Sequence, residues 1–153
     1  MASDAKTSMK AVTDSEYRAL AEFRYHIRHY LDFSDQVARF AGIEPKQYQL
    51  LLALRGLPQE LEPTVGSLAE QLRIRHHSTV ELINRAETKE LVKRSRSGSF
   101  VFVQLTKKGE RVLERAVEKR LQELRFAGPV LVDALQRLIR ANPISNNHQR
   151  KKK

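Results

Sequence analysis

Between Thr13 and Ala41 apolar residues recur at Tyr17, Leu20, Phe23, Ile27, Tyr30, Val37 and Phe40. That is mostly helical spacing. Thr13 can cap such a helix while Glu16 reaches back from three residues on, and Gly42 supplies the stop. A helix of about 27 residues is roughly 40 Å long. A chain of 153 residues is one domain of ordinary size, or a domain with short tails. Such a domain buries roughly 70% of its unfolded surface without staples, yet it cannot easily cover so long a rod. A partner chain is therefore expected.

Composition narrows the class. Charged residues are 30% of the chain and apolar residues 41%, which fits a soluble globular protein and not a disordered one. No apolar run approaches the ~18 residues of a membrane span, and the first 15 residues lack the apolar stretch of a signal peptide. No membrane partner is expected, and a cytoplasmic protein fits. With no Cys there is no disulfide framework and no thiolate nucleophile.

The net charge of +10 is unevenly placed. Residues 1–70 carry eight basic and ten acidic groups, residues 71–96 seven and three, and residues 137–153 six and none. A basic segment on a near-neutral scaffold suggests a polyanion partner, nucleic acid first.

The middle of the chain explains that segment. Pro45 opens a second helix, as a first-turn proline loses no hydrogen bond, and Gly56–Pro58 closes it. Thr64 is the next cap, followed by V-G-S-L-A-E-Q-L as a short helix. Arg73–Ile74–Arg75 reads as a turn, and a fourth helix runs from about His76 to Glu90. From Val92 to Leu105 the period changes to two. K-R-S-R, Ser97–Gly98 and S-F-V-F-V-Q-L read as a hairpin, with Val101, Val103 and Leu105 toward the core. A fifth helix follows Thr106 and is expected to break at Gly128–Pro129, with a last helix beyond it to Asn142–Pro143.

Short helix, tight turn, second helix and basic hairpin make a winged helix-turn-helix, and the fold class is mainly α. The major groove, about 12 Å wide, admits one α-helix. The fourth helix puts Val80, Ile83 and Ala86 on one side. Arg75, His76, His77, Ser78, Thr79, Glu81 and Arg85 are the candidate DNA contacts on the other. The hairpin offers Lys93, Arg94, Arg96, Ser97 and Ser99 to the backbone or minor groove. Base choice is assigned to Ser78, Thr79 and the His76–His77 pair. Arg85 positions the helix, and Arg94 and Arg96 add affinity that does not depend on sequence.

Other features give weaker leads. Tyr25, His26, Arg28 and His29 could line an effector cleft, although packing at a dimer interface or plain exposure explains them as simply. His26 and His29 lie three apart, but no third ligand is evident, so no metal is expected and no cofactor either. Phe100 and Phe102 could stack on bases, but alternation in a half-buried strand accounts for them. No G-x-S-x-G, P-loop or G-x-G-x-x-G occurs, so an enzyme is not expected.

The stretches Y-Q-L-L-L-A-L-R (48–55), T-V-G-S-L-A-E-Q-L (64–72), R-H-H-S-T-V-E-L-I-N-R-A-E (75–87), L-V-K-R (91–94) and V-Q-L-T-K-K-G (103–109) resemble the MarR (multiple antibiotic resistance) family of bacterial transcriptional regulators. Their order and spacing match over roughly residues 15–140. The resemblance implies a homodimer with interlocked terminal helices and a winged lobe on each side. It implies action on a pseudo-palindromic operator in double-stranded DNA, as repressor first, and often a small anionic or phenolic ligand that releases the DNA. One domain is then expected over 13–141, with a winged helix at 45–105 and dimerisation helices at 13–41 and 107–141. Residues 1–12 form an arm and 142–153 a basic tail.

The chain departs from the family pattern at Arg73, where Gly is usual, at Asn84, where Asp is usual, and at Ala86, where a large apolar residue is common. The wing lacks the usual Asp-x-Arg. A salt bridge from that Asp to the recognition helix is therefore not expected, and the wing arginines are expected to lack a partner. The competing reading is a winged-helix RNA- or protein-binding module that uses the same basic surface for shape.

Overall fold

The computed structural model describes residues 10–141. The arm is described only from Lys10 onward, and the expected tail, 142–153, lies outside the described residues. Seven elements follow in order: α1 (Asp14–Phe40), α2 (Pro45–Arg55), α3 (Val65–Leu72), α4 (His76–Thr88), β1 (Val92–Ser97), β2 (Phe100–Leu105) and α5 (Lys107–Ala141). The chain divides into two compact units. One is formed by residues 10–30 with residues 126–141. The other is Leu31–Arg125.

Local chemistry sets most of the boundaries. The Glu16 amide donates to Thr13 Oγ1 at 3.2 Å, and the Thr13 amide donates to Glu16 Oε2 at 2.7 Å. Two orphan donors of the first turn are thus satisfied reciprocally. Glu44 and Gln47 form a second such pair ahead of α2, with Pro45 in the first turn. Thr64 accepts from the Ser67 amide at 3.2 Å and starts α3. After α1, Gly42 takes φ +81° while the Ile43 amide reaches back to the Ala38 carbonyl. A left-handed residue of this kind suits glycine.

The core of the Leu31–Arg125 unit is a single apolar cluster. Leu50 and Leu51 from α2, Leu68 from α3 and Ile83 and Ala86 from α4 are fully covered, with Leu91, Val92 and Val103 of the hairpin region against them. Val112, Leu113 and Ala116 bring in α5. The hairpin pairs Val92 with Leu105 through Ser97 with Phe100, so Gly98 and Ser99 make a two-residue turn. Gly98 takes φ +60° there, as tight hairpins require. Val103 is buried and Gln104 exposed, in keeping with the expected alternation.

Two positions depart from what local signals suggest. First, α5 does not break at Gly128–Pro129 but runs unbroken from Lys107 to Ala141 with Pro129 inside it. A mid-helix proline costs about 3 kcal/mol, chiefly through one lost N–H and a ring clash. Here Pro129 is exposed, as are Arg125, Phe126 and Val130 around it, so the carbonyl left without a donor can be hydrated. Second, the α3–α4 turn closes on Arg73 at φ 55°, ψ 41°. Its amide donates to Glu70, and the next amide, on Ile74, donates to Ala69. The turn keeps a glycine's geometry without a glycine. A residue with a Cβ loses about 1–2 kcal/mol in this region.

Gly109 explains the close joint between α5 and the hairpin. A Cβ there would lie 2.0 Å from the Leu91 carbonyl oxygen, which also accepts from the Thr106 amide at 3.1 Å. Chemical denaturation should therefore show Gly109→Ala less stable by about 2 kcal/mol or more, and Arg73→Gly more stable by about 1 kcal/mol. Equal stability of Gly109→Ala and the native chain would mean that this joint is loose.

Candidate nucleic-acid interface

The direction of α4 is fixed by the side it buries. Thr79, Leu82, Ile83 and Ala86 are covered, a run at i, i+3, i+4 and i+7 that follows the 3.6-residue turn. The expected inner face of Val80, Ile83 and Ala86 steps by three each time and drifts off that line. Val80 is only half-buried. The outward stripe is correspondingly His77, Glu81, Asn84 and Thr88, with Arg85 at its edge, and all five are exposed.

Thr79 is the clearest correction among the candidate contacts. It is fully buried, and its Oγ1 donates to the Arg75 carbonyl at 3.0 Å. A hydroxyl satisfied by its own helix can sit in a core like a valine, so Thr79 cannot reach a groove. Arg75, His76 and His77 are exposed and Ser78 is half-buried. No side chain caps the start of α4. The first-turn amides are thus open to an anion such as a phosphate, aided by the helix dipole. Arg85 Nη2 lies 3.9 Å from Glu44 Oε2, with both side chains about half exposed. Such a pair contributes little to stability.

The wing holds the second correction. Arg94 is not a free cation. Its Nη1 donates to Glu87 Oε1 at 3.1 Å, its Nη2 to Asn84 Oδ1 at 2.5 Å, and its backbone amide to Glu87 Oε2 at 3.2 Å. A planar guanidinium with several fixed donors suits such a fork. The family's usual wing Asp is absent, yet the wing and the recognition helix are bridged from the opposite direction. A wing arginine meets an amide and a carboxylate on the helix. Sequence reasoning missed Asn84 and Glu87 in this role. Their i, i+3 spacing on α4 with an arginine seven residues beyond Glu87 is the signal that was available.

The strand register sorts the remaining wing residues. Arg94 and Arg96 pair with Val103 and Val101, whereas Lys93, Ser95 and Ser97 pair with Gln104, Phe102 and Phe100. The two arginines therefore share a face, and Arg96 is exposed beyond the clamp. Lys93 and Ser97 are exposed on the other face. Phe100 and Phe102 stack there with centroids 6.3 Å apart.

The candidate effector residues lie in the other unit, on α1. Tyr25 sits edge-on to His26 with centroids 5.4 Å apart and 6.5 Å from His29. Tyr25, Arg28 and His29 are exposed, and His26 lies 3.8 Å from Glu22. The three rings come together, while Arg28 is on the same helix without a contact to them among the described residues. A groove of about 480 Å³ lies elsewhere, lined by Leu52, Arg55 and Gly56 of the α2 end and by Glu110, Leu113, Glu114 and Val117 of α5. Among the described residues no three metal-ligating side chains cluster, and no helix is long and apolar enough to cross a membrane.

Removing the clamp should cost the fold, and removing the free arginine should not. Arg94→Ala is expected to lower the unfolding free energy by about 1 kcal/mol and Arg96→Ala by less than about 0.5 kcal/mol, measured by guanidinium titration. An Arg94→Ala protein as stable as the native one would deny the bridge a structural role.

The comparisons agree with this geometry. Residues 41–99 match a family model, MarR_2, described as the MarR family. Among solved structures, a MarR family protein from Bacillus stearothermophilus is 25% identical, with a TM-score of 0.66 over 86% of this chain and 97% of that one. AbsC, a MarR family transcriptional regulator from Streptomyces coelicolor, is 20% identical, with a TM-score of 0.69 over 86% and 92%. A mutant of MepR from Staphylococcus aureus, bound to an oligodeoxyribonucleotide, is 20% identical, with a TM-score of 0.59 over 86% and 94%. No curated protein sequence matches the chain.

Proposed function

We propose that this chain, whose residues 41–99 match a model of the MarR family, is a DNA-binding transcription regulator that acts as a homodimeric repressor on a pseudo-palindromic operator in double-stranded DNA. The observation that carries this reading is the outward stripe of α4, polar throughout, on a helix whose opposite side is locked into the core. His76, His77, Ser78, Glu81 and Asn84 meet the bases and first phosphates. Arg75, Arg85, Lys93, Arg96 and Ser97 hold the duplex from the flanks. Arg94 contributes through the helix it clamps.

The dimer is supported by apolar surface on the terminal helices. Tyr17, Tyr25, Phe126, Val132 and Ile139 are each more than half exposed, Phe126 at 84%. Monomeric proteins rarely leave so much large apolar surface open, and a two-fold partner would cover it. Release of DNA by a small anionic or phenolic ligand belongs to the same proposal, with Tyr25, His26, Arg28 and His29 as its candidate contacts.

The direct test is a mobility-shift titration with the DNA upstream of the protein's own coding sequence, against random duplex and structured RNA. Preferential binding to the upstream duplex is expected. Equal binding to all three would favour the RNA- or protein-binding reading. Light scattering at micromolar concentration should give twice the chain mass of 17.7 kDa, and a monomer would contradict the dimer. Affinity should fall steeply with salt, and Arg96→Ala should reduce the logarithmic salt slope by about one per protomer. An unchanged slope would mean that Arg96 does not touch phosphate.

A further inference from the structure

We infer that Glu81 selects the base it faces in each half-site, admitting an amino-bearing base and cytosine first; this rests on the DNA-binding reading above. Glu81 is exposed near the middle of the outward stripe, four residues after His77 and three before Asn84. Those intervals keep the three side chains on one side of the helix. Among the described residues its carboxylate has no hydrogen-bond or ion-pair partner. Arg85, at the i+4 position that could neutralise it, lies instead within 3.9 Å of Glu44. Glu87, the other acid toward the wing, is taken by Arg94. An open carboxylate therefore stands at the centre of a segment with seven basic and three acidic groups.

Electrostatics makes this position costly on most DNA. A carboxylate near the groove floor approaches two phosphate backbones and gains nothing from guanine N7 and O6 or thymine O4, which are acceptors. The only major-groove donors are the amino groups of cytosine and adenine. Adenine sets its N7 acceptor beside the amino group, so one of the two carboxylate oxygens meets a like partial charge. Cytosine presents the donor without that neighbour. The adjacent Asn84 has its Oδ1 accepting from Arg94, which orients its amide toward the wing rather than toward the two-bond contact that asparagine makes to adenine. Glu81 is thus both a reader and a filter. It accepts from the right base and repels the duplex where that base is missing.

Substitution should convert this preference in a defined direction. Glu81→Gln replaces an acceptor pair with one acceptor and one donor, the pattern that matches adenine N6 and N7. A pool of duplexes with a randomised central segment is selected in parallel with the native protein and with E81Q. The enriched sites are then titrated at one salt concentration. We expect a shared motif that differs at one position per half-site. That position is cytosine for the native chain, with about a tenfold loss on replacing it, and adenine or no fixed base for E81Q. Glu81→Ala should bind random duplex more tightly than the native chain does. Matching far-ultraviolet circular dichroism and melting curves guard against misfolding, which exposure of the side chain makes easy to satisfy. Identical motifs from native and E81Q protein would overturn the inference while leaving sequence-specific binding intact. No motif from the native protein would overturn the regulator reading itself, and the inference with it.

Discussion

The guanidinium of Arg94 is the joint on which the binding surface depends. A two-stranded hairpin alone is only marginally stable in water. Here Val92 and Val103 anchor its base in the core, and Arg94, paired with Val103, binds Glu87 and Asn84. The wing is thereby held to the same helix that presents His77 and Glu81. A wing and a helix that moved independently would lose ordering entropy on meeting DNA, whereas a pre-ordered pair loses less.

The clamp also divides the charge of the basic segment into two kinds. Arg94 is neutralised within the fold, while Arg75, Arg85 and Arg96 remain at the surface. Exposed arginines act on phosphates at a distance set by salt screening, and this produces affinity without sequence preference. On the proposed reading, discrimination is left to the short polar side chains of α4. Glu81 has an unusual place among them, since the contribution inferred for it changes sign with the base it faces.

Much of the fold was legible because it is written locally. Thr13 with Glu16, Pro45, Thr64 and Gly42 act within a few residues of themselves, and the structure uses each as the sequence suggests. The two-residue alternation of β2 was equally plain. Three features were not legible, each because a longer-range term outweighed a local one. Pro129 breaks helices by local rule, yet exposure lets α5 continue through it. Thr79 looks polar, yet its hydroxyl is satisfied at Arg75 and the side chain is covered. Arg94 looked unpartnered because its partners lie on another element. The family pattern had drawn attention to a missing acid in the wing rather than to the amide and acid on α4.

The central claim is that the outward stripe of α4, held by the wing clamp, enters the major groove. Dimethyl sulfate tests it directly, because the reagent methylates guanine N7 in the major groove and adenine N3 in the minor groove. On a bound operator duplex the account predicts guanine N7 protection in two patches about one helical turn, ~10 bp, apart, reduced in a His77→Ala, Ser78→Ala double variant that still folds. Protection confined to adenine N3, or guanine protection unchanged in that variant, would contradict it.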